Sequence, residues 1–204
     1  MGTAKIYVGG LLALVLTNAA TVYFIKKQVP IVSYDRRMAF ALDAMKRIDG
    51  KFVVVLGDSI TERSEMPATV CGSPLIKVGI GGSRSSFFIP FAEEMVASNI
   101  KPSVIAVELG SNDAHYPNFT ASFKMLIDRL PKSTIILATP PPTASAAIET
   151  AIRSEAANRG IDIVDFRTVS QFRSDDGTHP DSKSSRAWVS SLVSRIGLAL
   201  GCRS

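Results

Sequence analysis

The stretch VVVLGDSITE, residues 53–62, joins four apolar residues to a glycine, an aspartate and Ser59. A continuous apolar run rich in valine is typical of a strand buried on both faces of a parallel sheet. Asp and Ser after such a strand can form a simple turn that caps it. The same arrangement suits a nucleophilic serine, which needs a stiff strand behind it and an abrupt turn that exposes its hydroxyl. The remainder of the chain decides between these two interpretations.

Similar short apolar runs recur along the chain and alternate with stretches of helical spacing. The predicted strands are FVVVL (52–56), LIKVGI (75–80), SVIAVEL (103–109), TIILAT (134–139) and IDIVDF (161–166). The predicted helices are 34–48, 87–98, 119–130, 144–159 and 182–199. Alternating strands and helices imply right-handed crossovers and a parallel sheet covered on both faces. The pattern therefore predicts an α/β domain with a five-stranded parallel sheet.

Four polar or glycine-rich blocks interrupt this pattern. GDSI (57–60) follows the first strand, GIGGS (79–83) the second and GSND (110–113) the third, while DGTHP (176–180) precedes the last helix. The carboxyl ends of parallel strands meet at one edge of the sheet, where sites form. We therefore expect the four blocks to meet in one site.

The blocks contain the parts needed for acyl transfer. Ser59 would open a helix and present both its hydroxyl and its own N–H, and the Gly82 backbone could approach a reacting carbonyl closely. The Asn112 amide could be a further oxyanion donor. His179 has a side chain suited to taking a proton from Ser59, and Asp176 could hold the other imidazole nitrogen. These residues predict a nucleophile, a base, an orienting acid and an oxyanion hole.

GDSI, GIGG, GSND and DGTH, in that order, resemble the four blocks of the SGNH hydrolases, also called the GDSL esterase/lipase family. The resemblance covers about residues 52–182. It implies a flavodoxin-like three-layer α/β/α fold and hydrolysis of acyl esters without a metal or other cofactor. It also implies that Ser59, Asp176 and His179 are catalytic, and that Ser59, Gly82 and Asn112 form the oxyanion hole.

Several assignments within the blocks remain open at the level of sequence. Ser83 stands where many family members have Asp or Asn, and Gly81 beside Gly82 leaves the glycine donor ambiguous by one residue. Asp175 could replace its neighbour as the orienting acid. His115 lacks an Asp three residues before it, so we expect either a substrate contact or an ordinary loop residue.

The main functional hypothesis is a serine esterase that acts on small acyl groups such as acetyl, including those on carbohydrate. An O-acyltransferase would use the same residues, and a lysophospholipase or thioesterase is a further alternative. A non-catalytic binding module has no need of the complete catalytic set. Short loops favour an open cleft, whereas a membrane segment would favour lipid substrates.

Residues 6–25 contain no charge and are long enough to span a bilayer as a helix. We therefore predict an N-terminal hydrophobic helix that anchors the protein in a membrane, with residues 1–30 as the anchor segment and 31–204 as the hydrolase domain. A cleaved signal peptide, which would release a secreted enzyme, is the alternative. A membrane anchor and a signal peptide both favour an extracytoplasmic (periplasmic) catalytic domain. The lysines after the segment would favour a cytoplasmic domain, because positively charged flanks tend to stay inside.

The overall charge does not indicate a nucleic-acid partner. The chain has 23 Lys and Arg against 18 Asp and Glu, a net charge of +5. Three of the lysines lie in residues 1–30, which hold no acid, so the remainder has 20 basic and 18 acidic residues. No basic cluster is interleaved with aromatic residues, which argues against nucleic-acid binding. Cys71 and Cys202 lack metal-ligand spacing, and the sequence leaves open both their pairing and the oligomeric state.

Overall fold

The computed structural model describes residues 35–168 and 172–202 of the chain. The predicted helix at 6–25, and with it the boundary between segments 1–30 and 31–204, lies outside these residues. The chain divides into two compact units, Met1–Ala39 and Phe40–Ser204, and the sheet belongs to the second. Within the described ranges, no helix is both long enough and apolar enough to cross a bilayer.

Strands and helices alternate along the chain, as the apolar runs predict. A first helix, α1, covers residues 35–46. The elements that follow are β1 (Val53–Gly57), α2 (Ser59–Arg63), β2 (Thr69–Val70), β3 (Ser73–Gly79), α3 (Phe88–Ala97), β4 (Val104–Glu108), α4 (Phe119–Arg129), β5 (Thr134–Ala138), α5 (Ala146–Arg159), β6 (Asp162–Val164) and α6 (Ser182–Ala199). Short 3₁₀ helices cover Ser85–Phe87 and Phe166–Thr168.

The strands form one sheet in the order β2-β3-β1-β4-β5-β6. Five of them are parallel, and their order, β3-β1-β4-β5-β6, is the flavodoxin-like order with its switch point beside β1. Gly57 at the end of β1 lies opposite Gly79 of β3 and Glu108 of β4, so the first three polar blocks begin at one edge.

The predicted count of five strands is wrong, because the sheet has a sixth member. Strand β2 pairs antiparallel with β3, Thr69 opposite Pro74 and Val70 opposite Ser73. It is only two residues long, too short to give a periodic apolar signal. The turn between the two strands uses positive φ angles at Cys71 (52°) and Gly72 (78°).

The sheet is covered on both faces, which gives the three layers. On one face Trp188 and Leu192 of α6 form a buried cluster with Val53 and Val55 of β1. The intervening residues of β1 are also fully buried and face the other side, because strand side chains alternate. Helices α3, α4 and α5 pack side by side and bury their aromatic and aliphatic residues there. Burial of β1 on both faces holds the end of this strand rigid.

The two cysteines are joined in a disulfide, which settles the pairing that the sequence left open. Cys71 in the β2–β3 turn and Cys202 after α6 have Cα atoms 6.3 Å apart, within the range that a disulfide spans. The bridge closes a loop of 131 residues and ties the end of α6 to the edge of the sheet.

Candidate active site

Ser59 lies at an abrupt turn between β1 and α2. The buried Asp58 caps α2 by accepting the Ile60 N–H at 2.9 Å, so the chain turns directly from strand to helix. A Cβ on Gly57 would overlap the Thr61 side chain, which explains why the last residue of the strand is glycine. The turn leaves Ser59 half-buried at the edge of the sheet.

A chain of hydrogen bonds connects Ser59 to the fourth block. Ser59 Oγ lies 2.8 Å from His179 Nε2, although 120 residues separate them. His179 Nδ1 lies 2.6 Å from Asp176 Oδ2. The structure thus brings the predicted nucleophile, base and orienting acid into one line, with each imidazole nitrogen hydrogen-bonded to the expected partner. Asp175 is exposed, and the His179 imidazole is hydrogen-bonded to Asp176 rather than to Asp175.

The loop around Asp176 holds its carboxylate in the ionised form. Asp176 Oδ1 accepts the backbone N–H of His179 at 2.7 Å and that of Thr178 at 2.9 Å. The backbone and side-chain hydrogen bonds from His179, followed by the bond from Thr178, lower the pKa of Asp176 far below its usual value. Asp176 therefore stays charged at neutral pH, and its Oδ2 holds the His179 imidazole in a fixed orientation.

The second block brings glycine backbone beside the nucleophile. A Cβ on Gly81 would lie 3.7 Å from Ser59 Cβ, which places this backbone in near contact with the serine. Gly82 is exposed and has a φ of 75°, a conformation that favours glycine. The Ser83 N–H donates to Ile80 O at 3.1 Å and closes the turn. The turn therefore places the Gly81 backbone beside Ser59, and the assignment of the Gly82 N–H as an oxyanion donor stays a prediction.

The Asn112 amide lies between the first and second blocks. Its Nδ2 donates to Asp58 Oδ2 at 3.2 Å and to Ser83 O at 3.1 Å. These two bonds fix the amide plane, so the donor is oriented before any substrate arrives. These two bonds use both hydrogens of the amide nitrogen. An oxyanion bound by Asn112 would therefore have to share one of these hydrogens or displace its present acceptor. Asn112 does not cap α4, whose N-cap is Asn118.

Buried carboxyl groups lie directly beneath these donors. Burial raises the pKa of Asp58 to about 6, against the hydrogen bond from Ile60, which lowers it. Glu108 at the end of β4 is fully buried, and burial followed by the nearby Asp58 charge raises its pKa well above the usual value. Glu108 Oε2 accepts the Thr61 hydroxyl at 2.8 Å. Two charged carboxylates are disfavoured in this apolar site, so Glu108 keeps its proton to a higher pH than an exposed glutamate does.

Glu108 is the site residue that the sequence reasoning missed. An acid within the apolar run SVIAVEL, at the point where the strand enters the third block, was the available signal. Asp113, by contrast, has a structural role. It accepts the Ser85 N–H at 3.3 Å and the Ser85 hydroxyl at 3.1 Å, and so ties the second block to the third.

The surroundings of the hydrogen-bonded line are asymmetric. On the His179 side, a cavity of about 230 Å³ opens between α2 and the start of α6, with Ile60 and Val189 in its wall. On the other side, His115 is exposed and makes no hydrogen bond or ion pair with another described residue. Across the described residues, no group of three His, Cys, Asp or Glu side chains is arranged to hold a metal ion.

No family model matches the chain, and no curated protein matches its sequence. Solved structures do share its fold. A carbohydrate acetylesterase family member from Sinorhizobium meliloti superposes with a TM-score of 0.58 at 19% identity, over 74% of this chain and 100% of that one. A lipolytic protein of the G-D-S-L family from Veillonella parvula gives 0.57 at 16% identity, over 71% and 97%.

A carbohydrate esterase family 3 structure from Talaromyces cellulolyticus gives a TM-score of 0.56 at 18% identity, over 76% of this chain and 100% of that one. At these identities the likeness concerns the fold alone. The predicted resemblance to the SGNH hydrolases is confirmed at that level, and the four blocks meet at one edge of the sheet.

Proposed function

We propose that the protein is a serine esterase of the SGNH type, which hydrolyses acyl esters through an acyl-enzyme on Ser59. The hydrogen-bonded line from Ser59 through His179 to Asp176 carries this proposal. A serine hydroxyl at 2.8 Å from an imidazole that is itself held by a carboxylate is the arrangement that activates a serine nucleophile. A binding module would have no use for this alignment.

In the first half of the reaction, Ser59 Oγ attacks the ester carbonyl carbon while His179 Nε2 takes the hydroxyl proton. The carbonyl oxygen becomes an oxyanion, which accepts hydrogen bonds from the N–H of Ser59, the N–H of Gly82 and the Asn112 amide. The tetrahedral intermediate then expels the alkoxide, which receives the proton from His179. The products are the free alcohol and an ester of Ser59.

In the second half, water replaces the alcohol. His179 takes a proton from the water, and the resulting hydroxide attacks the acyl carbon. The intermediate collapses, Ser59 Oγ leaves and recovers its proton from His179, and the acid is released. An acyltransferase would follow the same steps with a second alcohol in the place of water.

A small acyl group such as acetyl, including acetyl on carbohydrate, is the substrate class that we favour. The cavity beside His179 has about 230 Å³, below the roughly 300–1,000 Å³ of sites that enclose drug-sized ligands. Ser59 does not line this cavity, and the short loops that leave the cleft open favour a short acyl group over a long fatty chain. Two of the solved structures that share the fold are named as esterases of carbohydrates.

A panel of p-nitrophenyl esters of rising acyl length, assayed with the full-length chain and with Ser59→Ala as the blank, tests this function. We expect the highest kcat/KM for acetate and a steep fall towards long chains. A maximum at eight or more carbons would favour a lipase-like or thioesterase-like enzyme. Addition of a sugar acceptor, with free acid and transferred ester measured separately, distinguishes hydrolysis from acyl transfer.

We also propose that the catalytic domain is extracytoplasmic and that residues 6–25 attach it to a membrane. The disulfide between Cys71 and Cys202 supports the first part, because such bonds persist mainly in oxidising compartments. The uncharged length of 6–25 supports the second. Full-length protein should remain with membranes through a carbonate wash, and release as a shortened soluble species would instead indicate a signal peptide.

A further inference from the structure

Arg84 lies over two aromatic rings at the rim of the candidate site. Its Cζ is 3.6 Å from the centroid of the Tyr116 ring and 4.8 Å from that of Phe87. Both separations are within the range of a cation–π contact. Tyr116 is 47% exposed and Phe87 37%, although both are large aromatic residues. We refer to Arg84, Phe87 and Tyr116 together as the arginine rim.

The arginine rim is tied to the oxyanion donors through the chain. Arg84 directly follows Ser83, whose carbonyl accepts the Asn112 amide. The next residue, Ser85, is held by Asp113, and the N–H of Tyr116 donates to the Asp113 carbonyl at 2.9 Å. The second and third blocks therefore position the rim from both sides, next to the donors that would hold the oxyanion.

The guanidinium of Arg84 is oriented but has no ionic partner among the residues that the structure describes. At 3.6 Å from the ring centroid the group must lie roughly parallel to the Tyr116 ring, because an N–H turned into the ring would clash. No described carboxylate lies within 4 Å of it, whereas Arg153 and Arg159 on α5 each pair with two acids. The carboxylate of Asp113 attracts Arg84 from a distance, but it is buried and bonded to Ser85.

A flat, half-buried guanidinium of this kind is suited to a planar anion. Its in-plane N–H donors remain available at the edge of the group, where they match the two oxygens of a carboxylate. The aromatic contacts already restrict the long side chain, so less entropy is lost when a ligand binds. Aromatic faces beside the charge add contact area for the rest of the ligand.

We propose that the arginine rim is a subsite for a carboxylate on the alcohol part of the ester, such as the acid group of an acylated acidic sugar. The inference rests on the proposed esterase function, since it concerns the same site. With a small acyl group against Ser59, we expect the larger alcohol part to extend towards the exposed rim, because Arg84 directly follows Ser83, whose carbonyl accepts the Asn112 amide. The chemistry favours esters of carboxylated alcohols over neutral ones.

The test compares 4-acetoxybenzoate with its neutral counterpart 4-acetoxybenzamide, which carry the same acyl group. We expect wild type to prefer the carboxylate. Arg84→Met, which keeps the apolar stem, should lower kcat/KM for 4-acetoxybenzoate roughly tenfold to hundredfold, the range for a lost charged hydrogen bond, and change the value for the amide less than about threefold. Arg84→Lys should recover only part of the preference, because an ammonium is not bidentate.

Arg195→Met is the matched control, because Arg195 lies on α6 in an exposed pair with Asp162. It should leave unchanged the ratio of kcat/KM for 4-acetoxybenzoate to kcat/KM for 4-acetoxybenzamide. Tyr116→Ala should reduce the ratio and Tyr116→Phe preserve it, since the ring rather than the hydroxyl holds the guanidinium. If Arg84→Met leaves the ratio of the two kcat/KM values unaltered and still hydrolyses the ester bond of 4-acetoxybenzamide, the subsite is refuted and the esterase function is not. If wild type hydrolyses neither ester while remaining folded by circular dichroism, the esterase function fails and the subsite with it.

Discussion

The Asn112 side chain provides a test of the oxyanion hole that separates catalysis from stability. Replacement by alanine removes a preoriented donor, and the loss of one such donor typically costs about 2.7–4 kcal/mol in the transition state, or roughly 10²–10³ in kcat. The same change removes a hydrogen bond from the buried Asp58 carboxyl and one from Ser83 O. Asp58 retains the Ile60 N–H, so we expect a loss of only about 1–2 kcal/mol in the free energy of unfolding.

The assay is kcat/KM for p-nitrophenyl acetate together with urea denaturation, for wild type and Asn112→Ala. Asn118→Ala is the matched control, because Asn118 is in the same loop and its side chain makes no capping hydrogen bond. It should change neither quantity appreciably. The reasoning is refuted if Asn112→Ala retains kcat within threefold of wild type, since the amide would then contribute nothing to the reaction even though it lies in the site.

The remaining predictions concern the base, the buried acid and the disulfide. His179→Ala should abolish ester hydrolysis nearly as completely as loss of the serine, whereas His115→Ala should alter mainly KM. An inactive His115→Ala enzyme together with an active His179→Ala enzyme in the same assay would reverse the assignment of His179 as the base. Glu108→Gln should become more stable relative to wild type as pH rises above about 4.5, because the folded protein retains a proton on Glu108 that the unfolded chain releases. Urea denaturation at pH 5 and pH 8 measures this difference, and an equal difference at both would show that Glu108 has an ordinary pKa. Replacing Cys71 and Cys202 by serine should lower the free energy of unfolding by roughly 2–4 kcal/mol, and unchanged stability under denaturant would contradict a bridge that constrains the unfolded chain.

The parallel strands and their helices could be predicted from sequence because each strand is buried on both faces. Such strands read as continuous apolar runs, and Val53–Gly57 is buried throughout. The two-residue β2 could not be predicted, since its pairing depends on the turn at Cys71 and on the neighbouring strand rather than on its own pattern. The disulfide could not be predicted from the sequence either, because 131 residues separate its two cysteines.

The hydrogen-bonded line of the site was predictable for a related reason. Each block follows a strand or precedes a helix, so the parallel topology brings Ser59 and His179 to one edge. The partners beneath and beside the site were not predictable in the same way. Glu108 has its unusual environment only because Asp58 and Thr61 come from a neighbouring element, and the contact of Arg84 with Tyr116 joins two loops that differ in sequence position by 32 residues.

The measurement that tests the central claim most directly is the kcat of Ser59→Ala for p-nitrophenyl acetate beside that of wild type. The removed hydroxyl is the one that lies 2.8 Å from His179 Nε2, and the change leaves the buried strand and the Asp58 cap in place. We therefore predict a protein with the circular dichroism spectrum of wild type and a kcat reduced by several orders of magnitude, roughly 10³-fold or more. A correctly folded Ser59→Ala protein with activity within tenfold of wild type would contradict the account.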